Sequence, residues 1–373
     1  MSGAGAPLAR TPLFSRHVAA GAKLVPFAGW EMPVSYTSIL DEHRHVRASA
    51  GLFDVSHMGE LRVRGPGALE LAQELFTNDV SAAPVGRVRY GMLCLPDGGV
   101  VDDVTLYRTG PEEVLFCVNA SNVAADRDWF HETRARTKSR AEIADESEAT
   151  GLLALQGPAA LGIVAKLRPA GAPVPKLWHF EATRLADVPV LLSRTGYTGE
   201  DGYEIFAEAP RIGALWDLLR EAGGTALVPV GLGARDTLRT EAAYALYGHE
   251  LDRAHDPLEA GLARFVALER PFCGAAALRA RAAAGPTRRL VGLVLEGRQV
   301  ARPGTRIATD RGDGIVTSGT FGPTVDRSIA LGYVPAGLAT GAHLHVDVRG
   351  KLLPCQLVET PFYRRKRPLG KGR

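Results

Sequence analysis

The sequence predicts a mixed α+β protein that ends in a small all-β barrel. Strand-like runs rich in Val, Leu and Tyr alternate with amphipathic helical segments through most of the chain. From Leu290 onward only short strand-like runs remain, separated by Gly and Pro turns. This second pattern is typical of a barrel and places one at residues 288–373. Residues 272–289 are expected to be the linker before it.

The helices are predicted from apolar residues at helical spacing, and several also carry a start or stop signal. Thr37 or Ser38 is expected to cap the first helix, and Pro66 to start the second. A strand is expected to become a helix at Gly157-Pro158. The helical segments are TSILDEHRHVRASAGLFDVSH (37–57), which begins as a helix and runs into a strand, PGALELAQELFTNDV (66–80), VAADRDWFHETRARTK (123–138), PRIGALWDLLREAGG (210–224) and GLGARDTLRTEAAYAL (231–246).

Composition is that of an ordinary globular protein, because 46% of the 373 residues are hydrophobic and 23% are charged. No run is apolar enough for a membrane span and no secretion signal is visible, so we expect a cytoplasmic protein. A mitochondrial protein whose presequence has been removed is the alternative. The last ten residues, RRKRPLGKGR, hold six Lys and Arg and no acid, so the rest of the chain is slightly acidic, which argues against a nucleic-acid-binding face.

The stretch GGVVDDVTLYR (98–108) places two adjacent carboxylates on a predicted strand. Side chains alternate along a strand, so Asp102 shares the apolar face with Val100 and Val104, whereas Asp103 shares the more polar face with Tyr107. An unpaired carboxylate on an apolar face is costly. We therefore expect Asp102 to face a polar partner and Asp103 to face solvent.

A second carboxylate stands out in RTGYTGEDGYEIF (194–206), where Glu204 shares a strand face with Phe206. It is expected either to pair structurally with an arginine, Arg235 or Arg239, or to line a polar pocket. A planar heterocycle with adjacent N–H donors would satisfy a carboxylate in the same two-pronged way as an arginine. Periodicity alone leaves both options open.

Other site chemistries find little support in the sequence. His43 and His45 are two residues apart and diverge on a helix, and no Cys or second His pair completes a metal set. The four cysteines are scattered and are expected to be reduced and structural. No phosphate-binding glycine loop and no nucleophile elbow are present. We expect no metal and no nucleotide cofactor.

Nine segments occur in the order found in the aminomethyltransferase of the glycine cleavage system, the T-protein family, which the chain resembles from Thr11 to about Arg367. They are TPLFSRHVAAGAKLVPFAGWEMPVSY, DEHRHVRASAGLFDVSHMGE, GGVVDDV, LALQGP, RTGYTGEDGYE, GLGARDTLRTEA, LYGHEL, VTSGTFGPTVDRSIALGYV and RGKLLPCQLVETPFYRRK. Each motif alone is modest, but nine in one order are specific.

This resemblance implies a three-domain, cloverleaf-like arrangement with two interleaved α+β domains and the C-terminal β-barrel. The first, folate-binding domain would comprise residues 1–54, about 145–160 and 225–285. The second would comprise about 55–144 and 161–224, and the barrel 288–373. The implied reaction transfers the aminomethyl carbon from the lipoyl arm of the H-protein to tetrahydrofolate. Its products are 5,10-methylenetetrahydrofolate and ammonia.

The resemblance also implies roles for single residues. Asp102 matches a family carboxylate that faces the reacting nitrogens of folate and would be catalytic, and Glu204 matches the acid that holds the pterin ring. Arg235 would meet a folate carbonyl or carboxylate. The remaining implied folate-binding residues, three in the pocket and one in the tail, are Tyr197, Asn119, Tyr90 and Arg367. The tail arginines would attract the polyglutamate chain of cellular folates.

Three other functions are alternatives to this one. Folate-binding proteins that support iron–sulfur assembly carry a cysteine motif where this chain has RTGYTGEDGYE, and no cysteine lies nearby. A folate-dependent demethylase of a small methylated substrate would share the folate site and is the principal alternative. A folate-binding module without catalysis would leave Asp102 on its inward face without a role.

Overall fold

The computed structural model describes residues 7–365, and within them eight α-helices and nineteen β-strands are formed. The helices are α1 (Phe14–Ala19), α2 (Ile39–Ala48), α3 (Ala68–Leu75), α4 (Val123–Thr137), α5 (Ala160–Ala165), α6 (Ile212–Gly223), α7 (Leu232–Glu241) and α8 (Ala275–Ala284). None of these eight is long and apolar enough to cross a bilayer.

The strands fall into a hairpin, two open sheets and a barrel. In chain order they are β1 (Lys23–Phe27), β2 (Trp30–Ser35), β3 (Ala50–Asp54), β4 (Gly59–Arg64), β5 (Val88–Cys94), β6 (Val100–Gly110), β7 (Glu113–Val118), β8 (Glu142–Asp145), β9 (Thr150–Gln156), β10 (Phe180–Leu185), β11 (Val188–Ser193), β12 (Gly202–Glu208), β13 (Leu227–Pro229), β14 (Arg288–Leu295), β15 (Arg306–Ala308), β16 (Gly314–Gly322), β17 (Arg327–Pro335), β18 (His343–Val348) and β19 (Lys351–Val358).

The first sheet has the order β10-β11-β12-β9-β3-β13, and the second has the order β5-β6-β7-β4-β8. The chain leaves the first sheet after β3, builds the whole second sheet, and returns at β9. The six remaining strands close a barrel in the order β14-β17-β16-β15-β18-β19. The predicted fold class is therefore confirmed: two interleaved α+β units are followed by a C-terminal β-barrel.

Each open sheet has one face covered by helices and one face turned toward the other sheet. Leu153 of the first sheet packs in a core with Ile163 of α5 and Leu215 of α6. A separate core lies between the two sheets. There the Tyr107 ring of β6 contacts the Phe206 ring of β12 edge-on, with 5.2 Å between the ring centroids. Burial of these large aromatic side chains contributes strongly to stability and fixes the spacing of the sheets.

Three predicted segments differ from the structure. The linker expected at 272–289 contains helix α8, whose Ala-rich run has high helix propensity. Helix α7 ends at Glu241 and not at 246, since Ala243 adopts a positive φ of 53° that turns the chain. The grouping of 161–224 with 55–144 does not match the strand pairing, because β12 pairs residue by residue with β9 in the first sheet. Ser38 caps α2 as expected.

Candidate active site

Strand β6 places its two aspartates on opposite faces of the second sheet. On the face that carries Val104, the side chain of Asp102 is fully buried, with 0% of its surface exposed. Its oxygens accept hydrogen bonds from the Asn119 backbone N–H at 2.9 Å, from the Asn119 side chain at 2.8 Å and from the Asn122 side chain at 2.7 Å. Asn122 is the N-cap residue of α4, so Asp102 faces this helix.

Asp103 lies on the face that carries Tyr107, which is the face turned toward the first sheet. Its half-buried carboxylate accepts a hydrogen bond from the Tyr90 hydroxyl at 2.9 Å and one from the Asn119 amide at 3.1 Å. Burial, reinforced by the neighbouring Asp102 charge, raises the pKa of Asp103 to about 7. Asp103 is thus a carboxyl group that titrates near neutral pH.

This arrangement corrects the expected orientation of the two aspartates. Alternation separated Asp102 from Asp103 correctly, but the apolar face of β6 is covered by α3 and α4. The more polar face lines the space between the sheets and does not face bulk solvent. The second sheet therefore presents Asp103 to that space, whereas Asp102 stays behind it.

Glu204 stands on the facing wall, on β12 of the first sheet. Its half-buried carboxylate accepts the Thr195 hydroxyl at 2.5 Å. Among residues 7–365 it forms no ion pair with either expected arginine: Arg239 is paired with Glu250 at 2.9 Å, and the Arg235 guanidinium lies over the Tyr197 ring. Glu204 consequently keeps acceptor capacity for a ligand.

Arg235 of α7 extends its guanidinium over the Tyr197 ring, with 4.7 Å between the guanidinium carbon and the ring centroid. The Tyr197 hydroxyl donates to the backbone carbonyl of Ala245, which holds the ring in place. Glu204 lies within electrostatic range of the guanidinium, and burial lowers the pKa of Arg235. In the described part of the chain Arg235 has no carboxylate ion-pair partner, so it is available to an anionic or carbonyl group.

The two walls face one another across the inter-sheet space. Tyr197 lies within electrostatic range of both Tyr90 and Asp103, so the second sheet and the 195–203 segment meet at this point. Six of the seven predicted site residues are thereby brought into one region: Asp102, Asn119, Tyr90, Tyr197, Glu204 and Arg235. The seventh, Arg367, lies outside the described residues.

Sequence reasoning missed three members of this region. Thr195 fixes Glu204, Asn122 donates to Asp102, and Asp126 of α4 sits beside Asp102 with 0% of its surface exposed. The spacing of Asn122 and Asp126 was a usable signal, since residues i and i+4 lie on the same helix face. Which strand that face meets was not visible in the sequence.

Histidines and metals are separate from this region. Within the described range 7–365, no group of three or more His, Cys, Asp or Glu side chains is arranged to hold a metal ion. His43 is buried against Thr237 and Glu241, where it donates and accepts within the protein. Burial lowers the pKa of His57 to about 4, so this imidazole is neutral at pH 7.

Comparison with known proteins agrees with the fold and the order of motifs. Residues 13–270 match the GCVT N-terminal domain, and residues 288–364 match the glycine cleavage T-protein C-terminal barrel domain. Curated aminomethyltransferases from Symbiobacterium thermophilum and Moorella thermoacetica are 48% and 49% identical to the chain. The alignments cover 96% of this chain and 98% and 99% of those proteins.

A solved structure shows the same architecture at full length. The crystal structure of glycine cleavage system aminomethyltransferase T from Bartonella henselae superposes with a TM-score of 0.88 at 34% identity. The match covers 95% of this chain and 98% of that one. The chain belongs to the glycine cleavage T-protein family of aminomethyltransferases.

Proposed function

We propose that this protein transfers the aminomethyl carbon from the lipoyl arm of the H-protein to tetrahydrofolate in the cytoplasm. The observation that carries the proposal is the pair of facing walls: Asp103 with Tyr90 on one side, and Glu204 with Arg235 on the other. Such a site offers a proton acceptor at one end and two complementary charged groups at the other. The family relationship supplies the reaction that this site would serve.

The reaction requires a proton acceptor next to the attacking amine. The carbon of the S–CH2–NH2 group forms bonds to two folate nitrogens, while its bonds to sulfur and to the amino nitrogen break. The two folate N–H protons end on ammonia and on the dihydrolipoyl thiol. A carboxylate within hydrogen-bond reach of those nitrogens orients the amine, takes up its proton and stabilises the positive methylene as ammonia leaves.

We assign this role to Asp103 in place of Asp102. Asp103 is on the face turned toward Glu204 and Arg235, and Tyr90 and Asn119 orient its carboxylate. Its pKa of about 7 is suited to accepting and returning a proton near neutral pH. Asp102 has no exposed surface, and its three donors come from Asn119 and Asn122.

The facing wall would hold the pterin end of folate. The two oxygens of Glu204 match the adjacent N–H and amino donors of the ring, and Thr195 fixes the carboxylate geometry. Arg235 would meet a carbonyl or carboxylate oxygen, and Tyr197 presents an aromatic face for stacking. Glu204, Arg235 and Tyr197 thus act in binding, whereas Asp103 acts in chemistry.

The basic tail would add affinity for polyglutamylated folate. Arg365 reaches the turn before Gly202, where it pairs with Asp201 at 3.1 Å, so the chain passes close to the site before Arg367. Lengthening the glutamate chain of folate from one to five residues should lower Kd, and truncation after Phe362 should remove that gain. Equal affinities for both folates in the intact protein would refute the role of the tail.

The function is tested by mixing the purified protein, tetrahydrofolate and aminomethyl-loaded H-protein. Ammonia and 5,10-methylenetetrahydrofolate should form in equal amounts, and Asp103→Asn should stop both. Tetrahydrofolate binding without either product would refute aminomethyl transfer. A panel of methylated small molecules would then test the demethylase alternative at the same folate site.

A further inference from the structure

A second buried carboxyl group lies next to Asp102 and takes no part in the function described so far. Asp126 is in the first turn of α4, four residues after Asn122, and none of its surface is exposed. Neither of its carboxyl oxygens receives a hydrogen bond from an N–H or hydroxyl group of residues 7–365. Asn122, one turn earlier on the same face of α4, donates to Asp102 at 2.7 Å, so the Asp126 carboxyl group lies on the side of the helix that faces Asp102 and is its electrostatic neighbour.

Two carboxyl groups buried in contact cannot both be ionised, so one of them holds a proton. The distribution of donors decides which one. Asp102 accepts three N–H groups at 2.7–2.9 Å, an arrangement that favours the charged form, whereas Asp126 accepts none. This distribution of donors assigns the negative charge to Asp102 and the proton to Asp126.

We propose that Asp126 is a positioning residue that fixes a negative charge on Asp102, and that this charge prepares Asp103 to accept the proton of the reacting amine. The inference rests on the proposed function, which it extends from Asp103 to the two acids behind it. A helix position with a purely structural role would not need a buried carboxyl group that lacks an N–H or hydroxyl partner among residues 7–365. The proposal gives this carboxyl group a role.

The electrostatic neighbours agree with this assignment. Burial together with the Asp102 charge raises the pKa of Asp126 to about 11, so it stays protonated at neutral pH. The other ionisable groups around the three acids are two on the 247–253 segment, one on β5, one on β7 and one in the 195–203 segment: Tyr247, Arg253, Tyr90, Cys117 and Tyr197. Arg253 is the cation among them.

The experiment measures the titration of Asp103 in the free protein. The full-length chain, labelled with 13C at its aspartate carboxyl carbons, is titrated by NMR, and the Asp103 resonance is identified by its loss in Asp103→Asn. Removal of a neighbouring negative charge stabilises the ionised form of Asp103. Asp102→Asn should therefore lower the Asp103 midpoint by about one pH unit, and the acidic limb of kcat against pH should move with it.

Two substitutions at Asp126 distinguish the effect of its hydrogen-bond donor from the effect of its side-chain volume. Asp126→Leu removes the donor, so Asp102 takes up the proton itself and the Asp103 midpoint should fall as in Asp102→Asn. Asp126→Asn retains an N–H donor and should keep the midpoint within about 0.3 pH unit of the wild type. Asp128→Asn is the matched control on the same helix, because that side chain is 79% exposed and should leave the midpoint unchanged.

The outcomes are distinct. An Asp103 midpoint that is unchanged in Asp102→Asn, or equally unchanged in Asp126→Leu, overturns the inference even if aminomethyl transfer is intact. Midpoints that shift as expected in a protein that transfers no aminomethyl group uphold the inference about the three acids and refute the proposed function instead. Near-ultraviolet circular dichroism of each variant confirms that the compared proteins are folded.

Discussion

Two regions of the molecule bury carboxylates, and they do so in opposite ways. At the contact between α2, α7 and the barrel, Glu241 is paired with Arg47 at 3.1 Å and with His43 at 3.1 Å. On β6, Asp102 and Asp103 accept hydrogen bonds from neutral donors, and neither forms an ion pair within residues 7–365. The pKa of Glu241 is lowered and that of Asp103 is raised, although burial alone would raise both.

The comparison shows how one chain separates stability from chemistry. The Arg47 guanidinium next to Glu241 offsets the cost of burying its charge, and Glu241 ties the barrel to the α+β part by accepting the Thr324 backbone N–H at 2.8 Å. Within residues 7–365, no ion pair compensates the like charges of Asp102 and Asp103. Burying them costs folding free energy and raises the pKa of Asp103 to about 7, so that this carboxyl group can accept a proton near neutral pH. Substitutions at Asp102 and Asp103 should therefore change activity most, and substitutions at Glu241 should change stability most.

The largest expected effect is on turnover. Asp103→Asn removes the proton acceptor and should lower kcat at least about 100-fold, the range of a general base, while the Kd for tetrahydrofolate changes little. Single-turnover formation of methylenetetrahydrofolate and a separate folate titration measure the two quantities. An active Asp103→Asn enzyme would contradict the assignment of the reacting carboxylate.

Substitution of Glu241 should reduce the stability of the fold and leave the catalytic step unchanged. Glu241→Ala removes the carboxylate shared by Arg47 and His43, while Arg47 keeps Glu200 at 3.0 Å, and should cost about 2 kcal/mol in the free energy of unfolding. Urea unfolding at pH 7 measures this loss, and the pH at the acidic limb of kcat should be the same as in the wild type. A shifted limb would show that the two regions are not independent.

The pH dependence of that loss has a defined sign. The folded-state pKa of Glu241 is depressed, so its stabilising contribution is present above the unfolded-state pKa of about 4.3 and disappears as the pH falls through the folded value. The difference in unfolding free energy between wild type and Glu241→Ala should therefore shrink in acid. A difference that grows below pH 4.3 would contradict the ion-pair description.

Asp126 should show the opposite sign. Its pKa is raised from the ordinary aspartate value to about 11, so the folded state binds the extra proton and wild-type stability falls as the pH rises above about 3.9. Asp126→Asn cannot lose a proton and should gain on the wild type by up to about 1.4 kcal/mol per pH unit in that window. Parallel urea curves from pH 4 to 8 measure the gain, and a constant difference would rule out the shared proton.

The smallest effect is expected at the binding wall. Glu204→Gln keeps the shape of the side chain but replaces one acceptor oxygen with an amide and should weaken tetrahydrofolate binding by about tenfold, the contribution of one charged hydrogen bond. Isothermal titration gives the Kd. Glu208→Gln, at an exposed position on the same strand, is the control and should bind like the wild type.

Much of the fold was predictable because local signals agreed with tertiary packing. Ser38 caps α2, the Gly and Pro turns delimit the barrel strands, and alternation placed Asp102 and Asp103 on opposite faces. Which face meets the site depends on where the first sheet docks, and this is a long-range contact that no local pattern encodes. Sheet membership of β10–β12 was missed for the same reason, since strand pairing is set between distant segments.

The chemistry of the site was predictable in residue type but not in arrangement. Glu204 and Arg235 were expected to form a structural pair or a pocket, and only the structure shows that Arg239 turns away to Glu250. To predict that Asp102 and Asp126 share a proton, one must know that the first turn of α4 packs on β6. Motif order identified the family, whereas burial and donors distinguish the two aspartates.

The most direct test of the account compares Asp102→Asn and Asp103→Asn side by side in single-turnover transfer from aminomethyl-loaded H-protein across pH 5 to 9. We predict that Asp103→Asn is inactive throughout, while Asp102→Asn remains active with its acidic limb moved to lower pH. An inactive Asp102→Asn together with an active Asp103→Asn would contradict the account and return the reacting carboxylate to Asp102.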